Sequence, residues 1–305
     1  LLYFLQNDPE VPEADRALAR TYGLPKDEFT DTGNFPWCLY VREARRIVGE
    51  YTLSERDLML APESGRAPVH EDAISAGEFP IDSFPTRRYE PGHEDALEGY
   101  ILMLDKLTQP YQIPYRVMIP KDIDGLIVPV ACSATHIAFS SVRLEPTWMS
   151  LGQAAGIAAH VSIKRGQSLR SIDVSAIQSM LIEHGQVLSY FEDLPKAHPA
   201  FKVCQQLSVK GFFSDYNART SDPFTIDDAN RIVAASFPLR NFVGFGNRSS
   251  SSFVGEVEWK TICDNLTNNS PIPDGVLTKE RTTVEDAVTR GDAFAILGQA
   301  QKAKS

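Results

Sequence analysis

The sequence predicts an α/β fold, α+β in the part of it that this chain carries, followed by a small helical domain. Three observations lead there. Residues 125–132 (GLIVPVAC) form a continuous apolar run after the turn at 121–124, the pattern of a strand buried on both faces in a parallel sheet. A loop follows, and then a long helix with Pro146 at its first position and TWMSLGQAAGIAA leading on to about Lys164. Beyond Pro195 and Pro199 the chain turns to short helical segments. Two of them, 224–236 and 283–297, resemble each other and read as a two-fold repeat of helical hairpins.

Taken in order, the first ~30 residues read as a short helix and a loop, ending in the Gly/Pro-punctuated stretch 23–37. Residues 39–51 place Leu39, Ala44, Ile47, Val48 and Tyr51 on one helical stripe, with Arg42, Glu43, Arg45 and Arg46 largely off it, which predicts an amphipathic helix. Residues 62–99 are rich in Pro, Gly, His and acids with short β-like pieces such as FPIDSF, a composition suited to a substrate-facing cap. Residues 111–118 read as a strand in which Pro114 marks an edge or bulge. Residues 174–184 read as a helix, and the Gly/Ser-rich stretch 241–255 as a linker.

A chain of 305 residues, 43% hydrophobic and 23% charged, is expected to form two or three packed domains. Its net charge of -10 argues against nucleic acid, whose phosphates demand a concentrated basic surface. No apolar run approaches the ~18 residues of a membrane span, and the opening LLYFLQNDPE turns polar too soon for a signal peptide. Because the chain opens on Leu1, it reads as a trimmed or partial product, and its compartment stays open: soluble, cytoplasmic or exported. Cys38, Cys132, Cys204 and Cys263 lie far apart with no metal-ligand spacing, which suggests four reduced, buried thiols; two disulfides in an exported protein remain the alternative. No metal site is expected.

Residues 133–156 are the most informative. Small and hydroxyl residues (Ser133, Ala134, Thr135, Ser140, Ser141) would let backbone N–H groups approach a flat ligand, and the helix begun near Pro146 turns its positive end toward that loop. Gly152, Ala155, Gly156 and Ala159 give the helix a small-residue face suited to close packing. The runs ATHIAFSSVR-x-x-P-T-x-M-x-LGQAAG, LYVREARRIVG (39–49), IPYRVMIPKDIDGLIV (113–128) and IDSFPTRRYE (81–90) resemble the C-terminal flavin-contact region of FAD-dependent oxidoreductases related to glutathione-reductase-type flavoproteins. The resemblance covers about residues 1–201. It implies a partial FAD/NAD(P)-binding-type fold with a cap region at 1–110, the C-terminal part of the FAD-binding domain at 111–200 and a helical domain at 201–305. It also implies FAD in the intact protein, and hydride transfer from a small organic substrate to the flavin N5.

Cofactor contacts are then expected from Ser133, Ala134, Thr135, Arg143, Pro146, Thr147, Trp148 and Met149, and catalytic roles from His136 and Arg116. Histidine titrates near neutrality, so His136 could act as acid or base or donate to the flavin, with a purely structural role as the alternative. Arg143 could pair with the flavin pyrimidine, with an anionic substrate, or in an ordinary salt bridge. Arg116, Arg87 and Arg88, with Tyr115 and Tyr89, are candidates to line a substrate cavity; Glu145, Asp124 and Gln153 read as cap, turn and sheet-facing residues. Two features depart from the family pattern: no G-x-G-x-x-G turn occurs, and Val130-Ala131 stands where a Gly-Arg is usual. Residues 201–215 and 288–297 are similar to S-layer-homology repeats, which implies an attachment module in contact with a cell surface or polysaccharide. The rival reading is therefore a non-catalytic surface- or carbohydrate-associated binding protein.

Overall fold

A computed structural model describes residues 1–38, 40–85, 91–92, 101, 103–238, 242, 244–245, 248–272 and 287–302. The chain divides into two compact units, Leu1–Arg42 and Glu43–Ser305. In the first, helices α1 (Leu2–Asn7) and α2 (Glu13–Ala19) are tied by Gln6, whose Nε2 donates to the Ala19 and Tyr22 carbonyls, and by Arg16, whose Nη1 donates to those of Asp8 and Val11. Val11 is its one buried apolar residue among those described.

The second unit is mixed but mainly helical. It holds strands β1 (Ala73–Gly77) and β2 (Tyr111–Pro114), then α3 (His136–Val142), α4 (Glu145–Arg165), α5 (Val174–Glu183), α6 (Phe201–Ser208), α7 (Ile226–Ser236), α8 (Glu256–Asn268) and α9 (Arg290–Lys302). Two apolar clusters fill it. One runs from Leu53 to Val209 and gathers Leu58, Ile74, Ile113, Met118, Leu151 and Leu181; the other runs from Phe191 to Ala300 around Trp259, Phe224 and Phe294. Among the described residues no helix is long and apolar enough to cross a membrane.

The only ladder among the described residues is the antiparallel pair β1–β2, so the expected parallel sheet is not there. Pro114 has no N–H to give its partner Ala73, and the Ala73 carbonyl is taken instead by Gln178 Nε2 at 2.9 Å; Gln186 Nε2 takes that of Ile74 at 2.7 Å. The strand expected over 111–118 stops at Pro114 and continues as a 3₁₀ turn, Tyr115–Met118.

Nor is 125–132 a buried strand. Gly125 turns at φ 73°, Pro129 offers no N–H, and Leu126 and Val130 are 41% and 48% exposed. The helix expected over 39–51 is also absent from its described residues, Leu39 lying outside them. Its amides are committed elsewhere: Ile47 donates to Ala131, Glu50 to Ile119, Tyr51 to Arg116 and Leu53 to Ser133. Thr135 returns a bond to Leu53, Ser133 donates to Val117, and Val128 to Met118. Segments 47–53, 116–121 and 128–135 thus cross-bond without forming a regular sheet, joined by the single bridges Gly49–Pro120 and, in parallel, Leu53–Ala134.

Helices α4 and α5 form where expected. Helix α4 begins at Glu145 with Pro146 second and ends on Gly166 at φ 62°, a position suited to glycine. Ala154, Ala155 and Ala158 pack into the core, whereas Gly152, Gly156 and Gln153 face outward, so the close packing is made by alanines and Gln153 does not face the sheet. The presumed hydroxyl loop is largely helix α3: Ser140 and Ser141 are fully buried and hold segment 79–82, Ser140 Oγ accepting from Asp82 N and Ser141 Oγ donating to the Phe79 carbonyl. In the helical region, α7 and α9 open alike. Thr225 with Asp228, and Thr289 with Asp292, place a threonine oxygen on the third helical N–H.

Three of the four cysteines are buried and free, and burial pushes the Cys132 thiol up to about 12; Cys38 is exposed, against the expectation of four buried thiols. In native protein Cys38 alone should react rapidly with an aromatic disulfide reagent, the other three only after unfolding; a stoichiometry of two or more before unfolding would contradict this burial. Gly49 is the tightest point of the cross-bonded segments, since an added Cβ would lie 2.7 Å from Ser133 Cβ and 3.0 Å from the Arg116 carbonyl oxygen. Gly49→Ala should therefore cost about 1–3 kcal/mol in urea unfolding; an unchanged midpoint would contradict it.

Candidate functional site

Ser133, Ala134 and Thr135 are fixed by the cross-bonded segments rather than by side-chain bulk. Ser133 is buried with its Oγ 2.9 Å from Thr52 Oγ1, and the Ala134 carbonyl accepts from Arg46 Nε at 3.1 Å. Thr135 caps α3, its Oγ1 accepting from Ala138 N at 3.1 Å. This cap starts the helix at His136 and carries that side chain toward residues 43 and 84.

His136 has both ring nitrogens engaged. Nε2 lies 2.7 Å from the Phe84 carbonyl oxygen, and Nδ1 lies 2.5 Å from Glu43 Oε2. At the other end of α3, Arg143 is 5% exposed, stands 5.6 Å from the Phe84 ring centroid and reaches Asp82 Oδ2 at 3.5 Å. Arg46 lies 4.7 Å over Phe139, whose ring is 6.4 Å from that of Trp148 at the start of α4. Two acids, two arginines, a histidine and three aromatic rings therefore meet where α3 turns into α4. Burial holds the Glu43 carboxyl above the usual carboxylate range, against the opposing pull of His136, Arg46 and Arg143.

This cluster leaves buried polar atoms without hydrogen-bond partners: Arg143 Nε, Trp148 Nε1 and both Glu43 carboxyl oxygens, the His136 contact being close but not aligned for a hydrogen bond. Buried polar groups are normally satisfied, so such a concentration marks a place where a ligand's acceptors and donors would belong. Pro146 and Thr147, with Gly77, Phe79, Ser150 and Tyr190, line an open groove of 720 Å³ at the start of α4; Met149 is 74% exposed.

Arg116 is not part of this cluster. Its Nε bonds Asp72 Oδ2 at 2.9 Å and its guanidinium lies 5.4 Å from the Tyr51 ring centroid, in a second polar network that the sequence did not mark. There Tyr51 Oη donates to Asp57 Oδ1 at 2.6 Å, Ser54 N to Asp57 Oδ2 at 2.7 Å, and His70 Nε2 stands 3.2 Å from Asp57 Oδ1. His70, Asp72, Arg116, Gln178 and Lys210 face a cavity of 480 Å³. Arg87, Arg88 and Tyr89 lie outside the described residues. Tyr115 lines, with Arg116, a small cavity of 170 Å³, while its hydroxyl donates to the Leu169 carbonyl at 2.9 Å.

Also unmarked by the sequence were Glu43, Arg46, Asp82 and Phe84. The first two were assigned to the solvated face of a helix that does not form, and their partners are remote in the chain. Among the described residues no group of three or more His, Cys, Asp or Glu is arranged to hold a metal ion.

Burial raises the Asp57 carboxyl, but the adjacent His70 ring and bonds from Tyr51 and the Ser54 amide outweigh it, and the net direction is down. A carboxyl lowered on folding contributes stability that is complete above its unfolded value of about 3.9 and is lost as pH falls through the lower folded value. Asp57→Asn should cost about 1–3 kcal/mol at neutral pH and remove part of the acid-side loss, as read by urea unfolding at both pH values. Equal midpoints for variant and parent at neutral pH would contradict that role.

Comparison with curated proteins and with solved structures gives no match. The family model described as FAD dependent oxidoreductase matches residues 1–181, which include the Glu43–His136–Arg143 cluster and the start of α4. With more than half of its 305 residues matched, the chain belongs to the FAD-dependent oxidoreductase family.

Proposed function

We propose that this chain supplies the substrate side and the flavin-ring side of a two-electron oxidoreductase, related through its fold to glutathione-reductase-type flavoproteins. The observation that carries the reading is the pair of buried donors without partners, Arg143 Nε and Trp148 Nε1, at the α3–α4 corner inside the family match. Donors of this kind fit the carbonyl and nitrogen acceptors on the pyrimidine edge of a flavin, and a cation favours the charge that edge gains on reduction. Bound FAD would supply the electron acceptor, taking a hydride from an organic substrate at N5.

Everything else falls to the protein. Ser133, Ala134 and Thr135 would hold the backbone close to the ring, Pro146, Thr147, Trp148 and Met149 would present the start of α4 to it, and Arg143 would set its charge. His136 holds a proton at the same corner and is the acid–base candidate; Arg116, in its separate network with Asp72 and Tyr51, would orient an anionic group of the substrate. The region 201–305 would complete the fold by packing, and its aromatic core around Trp259 suits that role. The domain division 1–110, 111–200 and 201–305 belongs to the same proposal.

Titrating the purified protein with FAD, and separately with FMN, tests this by flavin fluorescence. Saturable quenching is expected, weakened about tenfold or more in Arg143→Met, since a hydrogen bond to a charged group contributes about 1.5–3 kcal/mol. No saturable binding of either flavin, or equal binding by the variant, would overturn the assignment of this corner. Retention of the whole protein on cell-wall polysaccharide in the absence of flavin binding would favour the surface-attachment alternative.

A further inference from the structure

We infer that Glu43 and His136 act as one proton-sharing dyad, in which the Phe84 carbonyl fixes the tautomer of His136 and Glu43 faces the remaining ring nitrogen. The Phe84 carbonyl can only accept, so the 2.7 Å contact requires the proton on His136 Nε2. That leaves Nδ1 facing Glu43 Oε2 at 2.5 Å. Two lone pairs at that separation would repel, so one of the two groups carries a second proton, the carboxyl or the ring. In the first form both groups are neutral; in the second they are a carboxylate and an imidazolium. Either way the pair carries one shared proton and no net charge.

The surroundings suit both forms. The Glu43 and His136 side chains are only 12% and 24% exposed. The charged groups facing Glu43 are Arg46 and Arg143 on the cationic side and Asp82 on the anionic side, together with His136 itself. Arg46 is anchored to the Ala134 and Ala44 carbonyls and Arg143 to Asp82, so neither cation makes an ion pair with Glu43. The second carboxyl oxygen, Oε1, is buried and has no hydrogen-bond partner. It is the unpartnered end of the dyad, at which a proton leaving a substrate O–H or N–H would arrive while Oε2 passes its own proton to Nδ1. The pair then carries one net positive charge, the proton gained from the substrate.

The link to catalysis rests on the flavin reading above; the dyad itself does not, and its test needs no flavin or substrate. Protein labelled with ¹⁵N-histidine is followed by long-range ¹H–¹⁵N NMR from about pH 5.5 to about pH 8, the range in which a free imidazole titrates. The His136 signals are identified by their loss in His136→Gln. In the wild-type protein His136 should keep its Nε2 proton and show no titration across the range. In Glu43→Gln, which retains shape but cannot give up a proton, it should titrate with a midpoint inside the range. A wild-type His136 that titrates near pH ~6.5 overturns the dyad, as does a Glu43→Gln profile that superimposes on the wild type. Should that variant fail to fold, the wild-type titration alone decides. Loss of flavin binding with the dyad intact would remove only the catalytic setting.

Discussion

Leu53 gives its amide to the Ser133 carbonyl and takes the Thr135 amide on its own carbonyl. Those two bonds fix where α3 begins, because Thr135 is the cap from which the helix starts. Ser133 in turn donates to Val117, and Gly49 is wedged between Ser133 and the Arg116 carbonyl. Segments 47–53, 116–121 and 128–135 therefore hold one another in register although none is part of a ladder. A shift of any one would move the Thr135 cap, and with it His136 and the whole polar corner between α3 and α4. Backbone amides buried in a protein must find acceptors, and here that requirement, rather than side-chain packing, sets the position of the chemistry.

Burying a cluster of charges is costly unless they neutralise one another. In the corner formed by Glu43, Arg46, Asp82, His136 and Arg143 the balance is close, with two guanidinium groups against two carboxyl groups and a histidine that can take either state. The aromatic faces of Phe84 and Phe139 each carry one arginine, which spreads the positive charge over polarisable surface. What remains uncompensated is hydrogen-bonding capacity: donors at Arg143 Nε and Trp148 Nε1, and acceptors on the Glu43 carboxyl. A neutral, flat ligand that offers both acceptors and donors suits such a site better than a small ion would.

Long helices were legible in the sequence and short extended pieces were not. Helix α4 has a proline start, twenty-one residues of consistent pattern and a glycine stop, all local features. Residues 39–51 carry an equally good helical stripe, yet β-branched Ile47 and Val48 favour extended backbone, and the Ile47, Glu50 and Tyr51 amides find remote carbonyls. Residues 125–132 read as a strand because they are apolar, but Gly125 and Pro129 deny them a ladder. At the site, His136 and Arg143 could be picked out from a motif contiguous in the chain. Glu43, Asp82 and Phe84 could not, because what defines them is contact with α3 across long stretches of sequence. Asp57 and His70, separated by a turn-rich segment, escaped for the same reason.

The glutamines beneath the two-stranded sheet carry a consequence of their own. Gln178 takes the Ala73 carbonyl that Pro114 cannot serve, and Gln186 places its side-chain amide on the Ile74 carbonyl next to it. Small sheets with open margins invite other chains to extend them, and that is a common route to aggregation. Here two amide side chains take the place of backbone donors, so the two-stranded sheet among the described residues keeps these carbonyls satisfied without a third strand. Replacing either glutamine would leave a carbonyl free to be claimed by a stranger's backbone.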